Sequence, residues 1–338
     1  MEAPAATTQT FGTKRKRRKG SRVAAVICWL YLFAMIGLIY YLRTQGDRAP
    51  FPTILLFSPR WIFAAPVAIL LPLMVYRSCR LPLLLLIGAA IFPLMGYSVG
   101  WHRLQPQQPA GTQSLRILTF NLHKIPFAGK AFQDFLTSAN ADVLALEEMP
   151  GRVTRSQFPA GFTHIVWHGE LCVASRFPIR AARVVSPDTV IRYTLQTPAG
   201  PVDLIGVHLS SPHFALRDSI DGSTQGPEEL ARNIENRRIQ ASLVQREIED
   251  TSARALIVAG DFNLAPDSPL FTGDFPGMTD AWASSAFGFG WTYFHQHTMV
   301  RIDHVLTNDL LWCKSCTVGP NLGSPHRPLI ADLIIRQP

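Results

Sequence analysis

Apolar and polar positions divide the chain into two regimes. Up to about residue 100 the apolar residues come in long unbroken runs. Residues 23–42 are twenty without a charge, 61–76 are sixteen holding Pro66 and Pro72, and 81–99 are nineteen. Twenty helical residues rise about 30 Å, the thickness of a hydrocarbon bilayer core. The runs are apolar on every face, which argues against helices on the surface of a soluble core. The middle run is short of the usual ~17–25 residues, and membrane helices tolerate its prolines. The pattern predicts a membrane anchor over 23–104 with about three transmembrane helices at 23–42, 61–76 and 81–99. The last two are joined by a basic tip at 77–80.

Residues 105–113, with Pro106, Pro109 and Gly111, read as a polar linker. Beyond it the pattern changes to short β-rich apolar runs that end in polar residues. Residues 115–120 run into Asn121, 143–146 into Glu147 and Glu148, 202–207 into His208, and 255–258 into Gly260 and Asp261. Residues 302–306 contain Asp303, and 329–335 form a final strand. Helices are predicted at 130–139 and at 227–249, the second opened by Gly226-Pro227. No internal repeat is visible, so 114–338 is read as one domain.

Composition sharpens this division. Of 338 residues 47% are hydrophobic and only 17% charged, below the ~25% of soluble domains, which favours membrane segments and excludes disorder. The formal net charge of +8 resembles a nucleic-acid signal until it is divided. Residues 1–105 hold 13 Lys and Arg against Glu2 and Asp47, and the remainder holds 19 against 22 acidic residues, a net −3. The C-terminal domain carries no bulk charge that would draw it to a polyanion, although a local basic groove stays open. The basic excess sits in the tail 1–22, where seven Lys and Arg precede the first apolar run. Basic flanks stay in the cytoplasm, so three spans place the C-terminal domain on the outer side of the cell membrane. Were 61–76 re-entrant, the parity would reverse. A cleaved signal peptide is the rival for 23–42. Its apolar region is usually ~7–15 residues ending in small ones, whereas Tyr40, Tyr41, Leu42 and Arg43 make a poor cleavage site.

Strand ends hold side chains on rigid backbone at one rim of a sheet. Singly, each polar residue there reads as a turn former or cap. Jointly, Asn, Glu, His, Asp with Asn, and Asp at five such ends suit a hard divalent cation, Mg²⁺ or Mn²⁺, and phosphoryl transfer to water. Five cysteines are too few for a disulfide scaffold. Cys313 and Cys316 have no second pair with zinc spacing. A strained local disulfide and two unrelated thiols are the remaining readings, the latter favoured.

The order of these blocks resembles that of the endonuclease/exonuclease/phosphatase superfamily. The blocks are Thr119-Phe120-Asn121-Leu122, Asp142 through Glu148, Ala174-Ser175-Arg176-Phe177-Pro178-Ile179 and Val207-His208-Leu209. They continue with Gly260-Asp261-Phe262-Asn263, Arg301-Ile302-Asp303-His304-Val305-Leu306 and Ser324-Pro325-His326-Arg327-Pro328. The resemblance implies a four-layer α-β-β-α sandwich of two mixed β-sheets. It also implies a metal-dependent phosphoester hydrolase. By position it implies that Glu148 ligates the metal with Asn121 beside it. Asp261 would position or deprotonate the attacking water, Asn263 hold the scissile phosphate, and His208 donate to a phosphoryl oxygen. Asp303 would orient His326, and a carboxylate on one ring nitrogen does fix the tautomer and aim the other at substrate. Arg237 and Gln240 resemble the family's structural Arg-x-x-Gln.

Two positions depart from the family. Pro325 stands where the family usually has an Asp that helps bind metal, which implies weaker metal binding or one ion in place of two. Glu147 stands where Gln is common. It either restores the lost negative charge or faces away as a solvated carboxylate, the reading preferred.

The expected protein is therefore a membrane-anchored phosphoester hydrolase of the phosphodiesterase or nuclease type. Its partners are the bilayer and either a lipid head group or a nucleic acid; no protein partner is inferable. Alternatives are a nuclease acting on extracellular DNA or RNA, and an inactive membrane receptor or scaffold. The segment 210–225, with His213, Arg217, Asp218 and Asp221, either sets substrate choice at the rim or is a disordered insertion. Trp291, Tyr293 and Phe294 stack on a base, meet lipid or belong to the core. His295 and His297 read as solvated.

Overall fold

The computed structural model describes residues 11–76, 81–100, 113–151, 153–251 and 254–336. The tip expected at 77–80, the linker short of Gln113, and the first ten residues of the tail lie outside them. The chain forms two compact units. One comprises the chain up to Tyr41 with Arg60–Met95, the other Leu42–Pro59 with the chain from Gly96.

In the first unit, helix α1 (Phe11–Gln45) carries the first apolar run. Its segment Arg22–Gln45, 24 residues, is long and apolar enough to cross a membrane. The expectation of three spans is not supported. The second run is divided into α3 (Trp61–Ala64) and α4 (Val67–Tyr76) at Ala65-Pro66, where the proline ring disfavours a continuous helix. The third is α5 (Leu81–Leu94), 14 residues and so only about 21 Å long. Gly96, at φ +81°, takes the left-handed conformation that ends helices. Among the described residues one helix therefore has spanning length. Between α1 and α3 lies α2 (Pro50–Phe57), which belongs to the second unit.

The second unit is built on two six-stranded sheets. The first orders β13-β14-β1-β2-β4-β3, from β1 (Gln113–Asn121), β2 (Val143–Glu147), β3 (His164–His168), β4 (Leu171–Ser175), β13 (Leu311–Val318) and β14 (Leu329–Ile335). The second orders β9-β12-β8-β7-β6-β5. Its strands are β5 (Ile179–Ser186), β6 (Val190–Thr197), β7 (Gly200–His208), β8 (Ala255–Asp261), β9 (Thr279–Asp280) and β12 (Asp303–Thr307). A separate hairpin pairs β10 (Tyr293–His295) with β11 (Thr298–Val300). Only β1/β2 and β7/β8 pair in parallel; their neighbours are antiparallel, so both sheets are mixed.

Alternation decides which side chains meet. Leu115, Ile117, Val143 and Ala145 face Tyr193, Leu195, Leu204 and Ile257 across the gap between the sheets. The opposite faces are covered by helices. On the first sheet, α6 (Lys130–Ala139) buries Phe132, Leu136 and Ala139, one helical stripe, over Phe120 and Leu146. It stops at Asn140, left-handed at φ +47°. On the second sheet, α8 (Gly226–Glu249) packs Ala241, Val244 and Ile248 over Ile205 and Val258. It starts with Pro at its first turn and with Glu228 and Glu229 beside the helix N-terminus. The result is the expected four-layer sandwich. The segment 210–225 is ordered: it contains α7 (His213–Ile220), packed on α8 through Ala215, Leu230 and Ile234.

Candidate active site

Strand direction gathers the polar ends. β1 and β2 run parallel, so Asn121 and Glu147 finish side by side. β7 and β8 likewise finish together at His208 and Asp261. β12 runs antiparallel to β8, so Asp303, its first residue, pairs with Asp261, its partner's last. β14 runs antiparallel to β1, so the segment before it brings His326 to the same rim. Gly260 shows why the Gly-Asp-Phe-Asn block opens on glycine. Its φ is +145°, and a Cβ there would lie 1.9 Å from the Val207 carbonyl oxygen.

Six of the seven expected residues form one continuous cluster. The Asn121 side-chain nitrogen donates to Glu148 Oε1 at 3.1 Å and to Asp261 Oδ2 at 3.0 Å. His208 Nε2 lies 3.7 Å from Glu148 Oε1 and 4.0 Å from Asp261 Oδ2. His326 Nδ1 contacts the two oxygens of Asp303 at 3.1 and 3.0 Å, and its Nε2 lies 3.8 Å from Asp261 Oδ2. That last gap is too long for a direct hydrogen bond and suits a bridging oxygen. Asn263, the seventh, borders the cluster: its backbone N–H donates to Asp261 Oδ1 and its amide to the Leu209 carbonyl, both within 2.9 Å. Glu148 and Asn263 both adopt left-handed backbone, φ +47° and +49°. Strain of this kind, of order 1–3 kcal/mol for a non-glycine residue, is concentrated at functional sites.

Electrostatics separate the members. Burial, followed by the charge of Asp303, pushes the Asp261 carboxyl up to about 6. Burial would lower His326, but the charges of Asp303 and Asp261 outweigh it and raise the imidazole to about 9. Glu147 is neither solvated nor turned away. It is buried under the rim, accepts from Thr119 Oγ1 at 3.0 Å, and its pKa is raised well above the ordinary carboxylate value by burial and by Asp303 and Asp261. The preferred expectation of a solvated Glu147 is thus corrected. Alternation along β2 points residues 143, 145 and 147 alike into the inter-sheet gap.

The sequence pattern misses the residues that hold this cluster. Thr292 Oγ1 accepts from the backbone N–H of Ile302 and Asp303. Ser324 Oγ donates to the Asn121 carbonyl and accepts from His326 N–H. His123 Nδ1 lies 3.4 Å from Glu148 Oε2, and the Tyr293 ring packs against His326 at 4.9 Å. Isolated Thr, Ser and His side chains in loops carry no periodic signal. Arg237 and Gln240 also hold loops. Arg237 donates to the Asn263 carbonyl at 3.0 Å, and Gln240 accepts from Ser210 N–H at 2.8 Å. His304 points away from Asp303, as alternation requires, onto Phe262 and Phe271. Cys313 and Cys316 are free, buried thiols.

The donor set fits a hard divalent cation. Asp261, Asp303 and His326 offer ligand atoms within 4.8 Å of one another, Glu148 adds a carboxylate beside them, and none of these donors is a thiolate. The carboxylates of Glu148, Asp261 and Asp303 gather at this one rim, a concentration of acidic groups that a divalent ion would offset. In its present orientation Asn121 turns its nitrogen to the carboxylates, while its oxygen accepts from His123 N–H at 2.8 Å. As a ligand it would need the opposite amide orientation.

A two-sheet sandwich with carboxylates, imidazoles and amides on one rim defines a class of phosphoester hydrolases. Residues 118–326 match the family model described as Endonuclease/Exonuclease/phosphatase family, and the chain belongs to that family, whose members hydrolyse phosphoester bonds. No curated protein matches it. Among solved structures, an endonuclease/exonuclease/phosphatase from Beutenbergia cavernae is similar at 18% identity, covering 67% of this chain and 72% of that one, with a TM-score of 0.48. A 3′ phosphatase from Neisseria, bound to a product DNA hairpin, is 18% identical over 64% of this chain and 98% of that one, TM-score 0.49. A Bacteroides vulgatus family member is 18% identical over 67% and 100%, TM-score 0.49.

Proposed function

We propose that this chain is a membrane-anchored, Mg²⁺- or Mn²⁺-dependent phosphoester hydrolase in which activated water attacks a phosphate at the rim. The observation that carries this reading is the convergence of Asn121, Glu148, His208, Asp261, Asp303 and His326 into one contiguous set of contacts. Glu148 and Asn121 would hold the ion, which supplies charge neutralisation at the phosphate. Asp261 orients the attacking water and accepts its proton. His326 stands between two carboxylates, which hold it as an imidazolium, so it donates toward the phosphoryl or leaving oxygen. Asp303 fixes its ring. His208 and Asn263 donate to the oxygens that gain charge in the transition state. Pro325 leaves the site one carboxylate short of the family pattern, which favours one ion over two.

Helix α1 is the anchor, its 24-residue segment being longer than the apolar part of a signal peptide. With the basic tail in the cytoplasm, a single crossing puts the catalytic unit outside.

The test uses the full-length chain with bis-p-nitrophenyl phosphate, Mg²⁺, Mn²⁺ or chelator. Asp261→Ala and His326→Ala are each expected to lower kcat by about 10³-fold or more, and chelator to abolish turnover. Near-wild-type rates in both variants would refute the mechanism. Absence of metal-dependent turnover on any generic phosphoester is what a receptor or scaffold would give.

A further inference from the structure

Three contacts keep Asn263 in place at the rim. Its N–H donates to Asp261 Oδ1 at 2.9 Å, its side-chain amide donates to the Leu209 carbonyl at 2.8 Å, and its own carbonyl accepts from Arg237 Nη1 at 3.0 Å. The first two partners belong to the ends of β7 and β8, and the third comes from α8. Left-handed backbone at φ +49° persists in a non-glycine residue only where the surroundings over-determine it. Arg237 is fully buried. A guanidinium does not lose its proton in a protein, so its charge has to be met inside the fold. Asn233 Oδ1 accepts from Nε at 3.0 Å, and the charge itself is met by Asp47, whose Oδ1 lies 2.7 Å from Nη2.

Asp47 comes from a stretch that the sequence pattern places within the membrane anchor. The segment Leu42–Pro59 belongs instead to the catalytic unit. Asp47 is buried there on left-handed backbone, φ +52°. The ring of Phe57, also buried, lies against the same guanidinium, 5.7 Å from its centre. Ile54, one turn earlier on α2, packs on Leu230 and Ile234 of α8. Ile54 and Phe57 also share the wall of a cavity of about 200 Å³ with Asn263 and Tyr293. A buried ion pair adds little stability over an apolar pair of the same size, and its best-attested use is to fix register. Here the register it fixes is that of α8 against the loop carrying Asn263.

We infer that the segment Leu42–Pro59 is a working part of the active site, with Asp47 and Phe57 as positioning residues for Asn263. They hold the Arg237 guanidinium, Arg237 holds the Asn263 carbonyl, and the backbone so fixed keeps the amide at the phosphate. This rests on the hydrolase reading above, in which Asn263 donates to an oxygen that gains charge in the transition state. Both residues act through Arg237. Loss of either lets Asn263 relax out of its left-handed conformation. The cost then falls on kcat and spares KM for a small ester, as for an interaction made only in the transition state.

The test uses the full-length chain with bis-p-nitrophenyl phosphate and Mg²⁺ or Mn²⁺, at a temperature where circular dichroism shows every variant folded. Asp47→Ala is expected to lower kcat about 10- to 100-fold and to leave KM within about twofold. Phe57→Leu is expected to lower kcat less, and Asp47→Asn, which keeps an acceptor for the guanidinium, to recover most of the rate. A double-mutant cycle separates positioning from a general structural role. In an Asn263→Ala background, Asp47→Ala is expected to cost nothing further, whereas a general structural role multiplies the two losses. Hydrogen exchange reads the same contact without turnover. In Asp47→Ala the amides of 261–264 are expected to exchange about 10-fold faster, and those of β13 and β14 to keep their protection. Losses that multiply, or faster exchange shared by all strands, overturn the inference and leave the hydrolase reading standing. A wild-type chain that turns over no ester brings down the hydrolase reading, and the exchange rates then decide by themselves whether Asp47 positions Asn263.

Discussion

Two glutamates adjoin at the end of β2 and serve opposite purposes. Glu148 turns out through left-handed backbone to meet Asn121 and His208. Glu147 continues the inward alternation and is buried with one oxygen on Thr119. Burial and two neighbouring carboxylates raise its pKa well above the usual value. A raised carboxyl pKa costs stability once the pH exceeds the unfolded value of about 4.3. The protonated acid has the shape of the Gln common in the family, which argues against an electrostatic substitute for the missing Asp at Pro325. Glu147→Gln is therefore expected to raise the thermal midpoint at pH 7 by several degrees and to leave the Mg²⁺ half-saturation of catalysis unchanged. A weakened half-saturation would restore the compensation idea.

At the scale of elements, α8 does more than cover a sheet. Arg237, fully buried at its centre, donates to Asn233 and to the Asn263 carbonyl and pairs with Asp47 at 2.7 Å. The segment between α1 and α2 is thereby tied to the helix that positions one of the site's amides. Removing one member of a buried pair leaves an uncompensated charge, typically at ~3–5 kcal/mol. Asp47→Ala is expected to lose stability on that order in denaturant unfolding, and Asp47→Asn, which keeps an acceptor for the guanidinium, to lose less. A neutral effect of Asp47→Ala would mean that the guanidinium finds another partner. Elements with strong local patterns are the ones legible beforehand: α6 and α8 bury single helical stripes, and β1, β2, β7 and β8 are apolar runs bounded by polar ends. β5 is legible only poorly, since it lies at a sheet edge with most of its residues exposed, so no alternation marks it.

For the whole molecule, the buried charges of the rim make stability depend on pH. His326 holds its proton more tightly when folded, at about 9, than when unfolded, at about 6.5. Its contribution is complete below pH 6.5 and is lost as the pH rises toward 9. The cost of Asp261, whose carboxyl is raised to about 6, is already fully developed below that window. In chelator the thermal midpoint is therefore expected to fall between pH 6.5 and 9, and in His326→Gln to fall less, the remainder coming from the buried Glu147. An equal fall in both proteins would place the titrating group elsewhere.

Local order along the chain was enough to determine six of the sheet strands, the outer helices α6 and α8, the strand-end residues and the family, because side-chain alternation and polar strand ends are written in consecutive positions. The burial of Glu147, the Asp47–Arg237 pair, and the supports from Thr292 and Ser324 were decided only by the tertiary structure. Each joins residues distant in sequence, and such contacts leave no periodic trace. The same holds for the number of spanning helices. Composition counts apolar residues, whereas Pro66 and Gly96 decide where a helix is interrupted or ends.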